Sequence, residues 1–499
     1  MSAGLGRSGP VRTAQQDRVS AGARGSVEPV ATMMNLQQAA RWIAGARLIG
    51  DASVAVARVH SDTRTLAPGD LFVALSGERF DGNEFLAAAK AAGACAAIAQ
   101  RGLADAGLSG LEVVDTRLAL GQLAQGWRQQ FDLPLIAVSG SNGKTTVTQM
   151  LAAILSSYRP GRALATQGNL NNDVGLPLTL LRLRAQHAIA VLELGMNHVG
   201  EIAYLAHLAA PTVALVNNAQ REHLEFMRDV EAVAQENGSV ITALPDHGRV
   251  VIPAADAFNG LWRRLADGRP VLSFGLAADA SAAVEPADVV ATEYRWSGES
   301  WQVQVRTPQG ELGYRLGIAG QHNLRNSLAA VACALAAGVP AAAICEGLSG
   351  FRAVRGRSSV QTLQLSGRLL TLVDDSYNAN PDSVRAAIDL LATLPGPRLL
   401  VLGDMAEVGT EGAALHAEIG AYAKERGIEF LCCLGSLSAH SARAFGVESR
   451  FDDVEALIGA VLQRLPEVAS LLVKGSRSMK MERVSEAIPR LATAAAVSC

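Results

Sequence analysis

The run Gly140-Ser141-Asn142-Gly143-Lys144-Thr145-Thr146 has the residue types that hold a nucleoside triphosphate. Glycines let a loop turn its backbone N–H groups inward onto phosphate oxygens. An apolar strand run, Leu135 to Val138, precedes the loop, and a helix pattern from Thr145 to Ser156 follows it. The N-terminus of that helix adds partial positive charge. Lys144 is expected at the β- and γ-phosphates, and Thr145 on a Mg²⁺ ion. The spacing is GxxGKT, because Val138 stands where the common GxxxxGK[ST] loop has its first glycine. A chance glycine turn would not also supply strand, loop and helix in this order.

Two further residues sit where a metal–phosphate site would need them. Glu193 ends the apolar run Ala188 to Leu192, and a carboxylate at a strand end beside a P-loop can hold Mg²⁺. A lone Glu there is more often a cap, but the following Leu194-Gly195-Met196-Asn197-His198 is unusual for one. His223 also follows a strand, in Asn217-Asn218-Ala219-Gln220-Arg221-Glu222-His223-Leu224, and is a candidate second metal ligand. The segment Thr166 to Pro177, with Asn169, Asn171 and Asn172, offers amides to a sugar or peptide. His322-Asn323 and Asn326 open an Ala-rich helix pattern, where amides could cap the helix or read a base edge.

These residues need strands to place them. Length alone predicts roughly three domains. Strands and helices alternate from Pro134 to about residue 350, which predicts parallel βαβ units. Trp301, Val303 and Val305 alternate instead, as in a hairpin arm. Alternation resumes after Arg357, and three strand runs there end in polar residues: Asp374-Asp375, Gly403-Asp404 and Lys474-Gly475-Ser476-Arg477. Open α/β sheets bind ligands outside the carboxyl ends of their strands. The reading is α/β throughout. A small N-terminal α/β domain spans residues 34–130, a central P-loop mononucleotide-binding parallel sheet 131–349, and a Rossmann-like C-terminal domain 350–499.

Composition narrows the class. Net charge is −3 over 499 residues, so no basic footprint argues for nucleic acid. No apolar run reaches the ~20 residues that span a bilayer. The six cysteines form no CxxC pair and no metal-ligand spacing, as expected of reduced thiols in a cytoplasmic protein. Residues 1–33 are rich in Gly, Ser, Ala and Arg, a composition that a transit peptide shares. They are expected to be a disordered tail or the product of an early start codon, with Met33 or Met34 as the natural start. A chain beginning at Met34 is therefore expected to keep its stability and activity.

Taken together, the P-loop form, Glu193, His223, His322-Asn323-Leu324-Arg325-Asn326 and Gly356-Arg357 resemble the Mur ligase family, which builds the peptide stem of peptidoglycan. The resemblance runs from Asp62 to the C-terminal region. Glu193 to Asn197, Asp374 to Pro381 and Leu402 to Glu407, supported by Lys474 to Arg477, narrow the resemblance to the branch that adds D-alanyl-D-alanine to a UDP-N-acetylmuramoyl tripeptide. It implies an ATP- and Mg²⁺-dependent ligase, monomeric, with neither a nucleic-acid nor a membrane partner. It also implies roles. Thr63, Arg64, Gly77, Asp81 and Gly82 match loops that hold the UDP-sugar. Asn169, Asn171 and Asn172 match the substrate-facing loop, and Asn323 an adenine contact. Arg357 matches an arginine that closes over the phosphates, and Asp375 a ribose ligand. Tyr377, Asn380, Lys474, Ser476 and Arg477 match the same cleft. Lys144, His223 and Arg357 are the implied catalytic groups.

One position departs from the pattern. The family carries a lysine after the His223 region whose carbamate helps hold a second Mg²⁺. The run here is Ala234-Gln235-Glu236-Asn237, and Asn237 takes the lysine's place. Asn237 is expected to hold a metal-bound water, or Glu236 to supply the missing negative charge. Other readings of the chain are a ligase adding a different amino acid, a folylpolyglutamate-type ligase, or a P-loop NTPase that couples hydrolysis to binding.

Overall fold

The P-loop strand, Leu135–Ser139, is buried at every position, as a strand covered on both faces must be. Its two neighbours, Ile189–Glu193 and Val213–Val216, are buried throughout and parallel to it. In this computed structural model, which describes residues 32–497 except 78, 79, 282–284 and 366, these three strands lie in a nine-stranded sheet. The chain leaves the P-loop strand toward one edge, through Ala163–Ala165 and Ile189–Glu193, then crosses back to Val213–Val216. That reversal opens a crevice at the carboxyl ends of the three strands. The P-loop, Glu193 and the segment Asn217 to His223 all begin there. The hairpin Trp301–Thr307 and Gly310–Leu316 extends the far edge antiparallel. Val303 and Val305 face its core while Gln302 and Gln304 face out.

The first domain has a five-stranded sheet, parallel except for its edge strand Arg47–Ile49. It shares a hydrophobic core with one face of the central sheet, running from Met34 and Leu36 through Trp127 to Leu192 and Leu205. The Trp127 indole donates to Leu183 O (3.1 Å), and buried Arg128 donates to Ala209 O and Ala210 O. These two domains therefore form one body.

The third domain carries a six-stranded sheet with a separate apolar core on each face. Its first two strands, Ser359–Leu365 and Arg368–Asp375, form a hairpin and the rest are parallel. Asp375 and Lys474 end neighbouring strands in register, facing the crevice.

The expected tail falls outside the described residues up to residue 31. Met33 does not belong to it. Its N–H donates to Val56 O (2.8 Å), it is buried, and Met34–Asn35 pairs with Ala55–Val56. A chain beginning at Leu36 loses two buried methionines, each contributing about 2 kcal/mol. Its melting temperature should fall by ~5 °C or more, as calorimetry would read. An unchanged melting temperature would mean that this strand adds nothing to stability.

Candidate functional site

Gly140 and Gly143 shape the loop. Gly143 has φ +83°, and a Cβ there would lie 2.4 Å from Asn326 Oδ1 and 2.7 Å from Asn217 Nδ2. Asn217 Nδ2 donates to Asn142 O and Asn326 Oδ1, and Asn142 N donates to Asn218 Oδ1. The loop is thus clamped from the next strand before any ligand arrives. The helix Lys144–Tyr158 starts with no side-chain cap, so its first N–H groups are open to an anion. Lys144 Nζ donates to Gly140 O (2.5 Å), Ser141 O (3.1 Å) and the Glu222 carboxylate (3.4 Å).

Glu193 is buried beside the loop. Its Oε1 accepts from Thr145 Oγ1 (3.1 Å) and Asn171 Nδ2 (2.7 Å), while buried Oε2 has no partner. A buried carboxylate oxygen without a donor is costly unless a cation or water meets it. The hydroxyl and carboxylate beside the phosphate-binding loop therefore fit a divalent ion. Among the described residues no group of three His, Cys, Asp or Glu side chains could hold a metal. Such an ion would need phosphate oxygens as further ligands.

Asn237 lies beneath the loop, 1% exposed. Its Oδ1 accepts from Ser139 Oγ (2.6 Å) and Gly140 N (2.8 Å), and its Nδ2 donates to Glu222 Oε1 (3.5 Å). Both expectations for this position need correction. The amide oxygen already takes two donors, which leaves little for a metal-bound water. Glu236 points elsewhere, accepting from Gly200 N and Ile202 N at the start of the helix Glu201–Ala209. The buried carboxylate near Asn237 is Glu222.

The third domain closes over this floor with polar contacts. Asn380 caps the helix Pro381–Ala392 through Ser383 N, and its Nδ2 donates to Asn142 Oδ1 (2.9 Å). Arg221 forks onto Asp382 (2.6 Å) and Glu418 (2.8 Å). His223 Nδ1 is 2.6 Å from Glu407 Oε2, and this contact holds the Glu407 carboxyl below its usual range. Both residues have left-handed backbone, at φ 51° and 58°. That costs a non-glycine residue about 1–3 kcal/mol and is maintained by surrounding contacts. Arg357 lies over the Tyr377 ring at 4.0 Å, and Arg477 approaches it at 5.6 Å. One cavity of about 1650 Å³ runs between the domains, lined by P-loop, Glu193, His223, Arg357 and Tyr377. A small-ligand pocket is typically about 300–1,000 Å³, so this one has room for more than one substrate.

Family profiles cover most of the chain. The Mur ligase middle domain matches residues 138–334, the "Mur ligase, glutamate ligase domain" 356–477, and the "Mur ligase family, catalytic domain" 56–128. The chain belongs to the Mur ligase family. An Escherichia coli UDP-N-acetylmuramoyl-tripeptide--D-alanyl-D-alanine ligase is 43% identical over 440 residues, 88% of this chain and 94% of that one. The Bacillus subtilis protein of the same name is 32% identical, over 85% and 92%. A crystal structure of MurF from Acinetobacter baumannii superimposes with TM-score 0.83 at 34% identity, covering 93% of this chain and all of that one. MurF from Thermotoga maritima in complex with ADP gives 0.74 at 26% identity, over 87% and 98%.

Within this Mur ligase, the expected residues divide by what their side chains touch. Ser141 to Thr146, Asn169, Asn171, Asn172, Glu193, His223, Asn323, Arg357, Asp375, Tyr377, Asn380, Lys474, Ser476 and Arg477 all line the cavity. Several are already engaged. Lys474, expected on substrate, is 4% exposed and donates to Asp375 (2.5 Å) and Asn378 O (3.0 Å), which fixes the Asp375 carboxylate in the cavity wall. Asn323 donates to Ala319 O and accepts from Asn326. Asn172 Oδ1 accepts from Gly175 N (2.9 Å), ahead of the helix Gly175–Leu180.

The first-domain residues Thr63, Arg64, Gly77, Asp81 and Gly82 do not line this cavity. Arg64 pairs with Asp62, and Asp81 accepts from Ser76, Asn83 and Arg101. A Cβ at Gly82 would lie 2.2 Å from Leu75 O, so a backbone crossing requires glycine there. The first domain reaches the cavity through Asp115, Arg117 and Leu118, which carry no motif. Arg117 pairs with Asp173 of the Asn-rich loop (3.0 Å).

The Arg221 fork should hold the two bodies together. In Arg221→Ala, solution scattering should report a larger radius of gyration, and KM for ATP should rise roughly tenfold, about one charge-assisted hydrogen bond. If neither moves, the fork does not govern closure.

Proposed function

We propose that this Mur ligase joins D-alanyl-D-alanine to UDP-N-acetylmuramoyl tripeptide at the expense of ATP, acting as a monomer in the cytoplasm. The observation that carries this reading is the single cavity shared by the P-loop and the third-domain residues Arg357, Asp375 and Tyr377. A nucleotide held from both sides couples its cleavage to domain closure.

The chemistry follows from the substrate carboxylate, whose oxygen is a poor leaving group. Transfer of the γ-phosphoryl group to that oxygen releases ADP and gives an acyl phosphate. The D-alanyl-D-alanine amine then attacks the carbonyl carbon. The tetrahedral intermediate collapses with loss of phosphate, and the nitrogen gives up its proton.

The first-turn N–H groups of the P-loop helix and Lys144 hold the phosphates. Arg357, stacked on Tyr377, is placed to neutralise charge on the transferred group. Thr145 and Glu193 would hold one Mg²⁺ and His223 would help hold a second, and these ions would supply further charge neutralisation. Asn142–Asn380, Arg221–Asp382 and His223–Glu407 keep the cleft shut, which protects the acyl phosphate from water. Among the described residues no helix is long and apolar enough to cross a membrane.

The test is phosphate release with UDP-N-acetylmuramoyl tripeptide, with and without D-alanyl-D-alanine. Sustained release should need both. Steady release without the amine would favour the NTPase reading.

A further inference from the structure

Glu222 is a buried carboxylate that the mechanism above does not use. Its side chain is 6% exposed, and the residue lines the cavity beside Lys144. It is 3.4 Å from Lys144 Nζ, 3.8 Å from His223 Nε2 and 3.5 Å from Asn237 Nδ2. The neighbouring His223 Nδ1 is turned to Glu407, so Nε2 is the ring atom on the Glu222 side.

An ammonium group has three N–H donors. Lys144 directs all three at Gly140 O, Ser141 O and Glu222. To meet a phosphate it must release at least one of them. The Glu222 contact is the longest, and the two carbonyls belong to the loop that itself holds the phosphates. Phosphate therefore displaces Glu222. That leaves a buried carboxylate without its cation and next to a polyanion, an arrangement that is strongly unfavourable. A second cation resolves it. A hard divalent ion takes carboxylate, imidazole and phosphate donors together, and Glu222 and His223 Nε2 are close enough to serve as neighbouring ligands after a small shift. The Asn237 amide, itself fixed by Ser139 and Gly140, orients the carboxylate from behind.

We propose that Glu222 is the protein carboxylate that holds the second divalent cation, with His223, and that it exchanges Lys144 for this ion when the triphosphate binds. This rests on the reading that the ligase works with divalent ions at the phosphates.

Mn²⁺ reports it without turnover. With the β,γ-imido analogue of ATP and UDP-N-acetylmuramoyl tripeptide present, bound Mn²⁺ is counted by electron paramagnetic resonance. The wild-type protein should bind two ions per chain. Glu222→Gln keeps size and hydrogen bonding but loses the charge, so the second ion should bind ~10-fold or more weakly while the first is unchanged. Glu193→Gln should weaken the first instead. If Glu222→Gln leaves both ions unchanged and only tightens the nucleotide, Glu222 is merely the partner of Lys144 and the proposal falls. If the variant melts early and loses both ions, Glu222→Asp must restore the second, and failure to do so also overturns it. If the wild type binds no ion beyond those the nucleotide carries in solution, the divalent-ion reading itself fails.

Discussion

Lys144→Ala is expected to lower turnover by ~10²-fold or more, because its ammonium meets phosphate oxygens where charge shifts during transfer. Phosphate-release kinetics would measure the loss, and turnover within a factor of a few of wild type would remove Lys144 from the reaction. The structure adds a second consequence. Lys144 is the cation beside Glu222, and its removal leaves that carboxylate uncompensated in a mostly enclosed place. The fold should survive, with circular dichroism unchanged, but stability should drop by about 1–3 kcal/mol. Lys144→Ala combined with Glu222→Gln should recover the melting temperature and not the turnover. Recovery of both would mean that the lysine acts only by neutralising Glu222.

The phosphate-binding loop was legible because its chemistry is contiguous. Strand, glycines, lysine and helix start lie within a few residues, and the backbone itself makes the site. Glu193 and His223 were legible because strand ends are marked by apolar runs. What joins the domains was not. Asn142 meets Asn380 across 238 residues of sequence, and Arg221 meets Asp382 across 161. Nothing local in either partner encodes the meeting. Lys474 reads as a ligand-facing cation at a strand end. Only the sheet order sets it beside Asp375 and gives it a buried partner. The first-domain loops lie away from the P-loop cavity, and sequence alone does not place them. A motif such as Gly77 to Gly82 does not distinguish a glycine that touches ligand from one that lets two backbones cross, as Gly82 does against Leu75. The choice between Glu236 and Glu222 shows the same limit on a smaller scale. Successive residues of a helix project about 100° apart, so Glu236 faces away from the loop that Asn237 touches. The carboxylate that does reach the site comes from the neighbouring strand's end.

Asn237 is expected to be an unmodified amide that the P-loop cannot do without. Asn237→Ala strands the Ser139 hydroxyl and the Gly140 N–H in a dry interior, at about 1–3 kcal/mol for each unmet donor. The melting temperature should fall by several degrees. Turnover should fall ~10-fold or more, because the loop that aims the phosphates loses its floor. Asn237→Asp tests the geometry separately. It keeps an oxygen acceptor for both donors but replaces the N–H facing Glu222 with a second carboxylate oxygen. Two like charges would then face each other beside Lys144, which draws a divalent cation and repels the triphosphate, so this variant should need less Mg²⁺ and more ATP while losing less stability than the alanine variant. The wild-type enzyme should be insensitive to removal of bicarbonate, since an amide cannot form a carbamate, and it should still require Mg²⁺ beyond that carried by ATP. Loss of activity in bicarbonate-free buffer, restored on adding it back, would mean that a lysine elsewhere carries the carbamate. An alanine variant as stable and active as wild type would show that the Ser139 and Gly140 hydrogen bonds do not hold the loop.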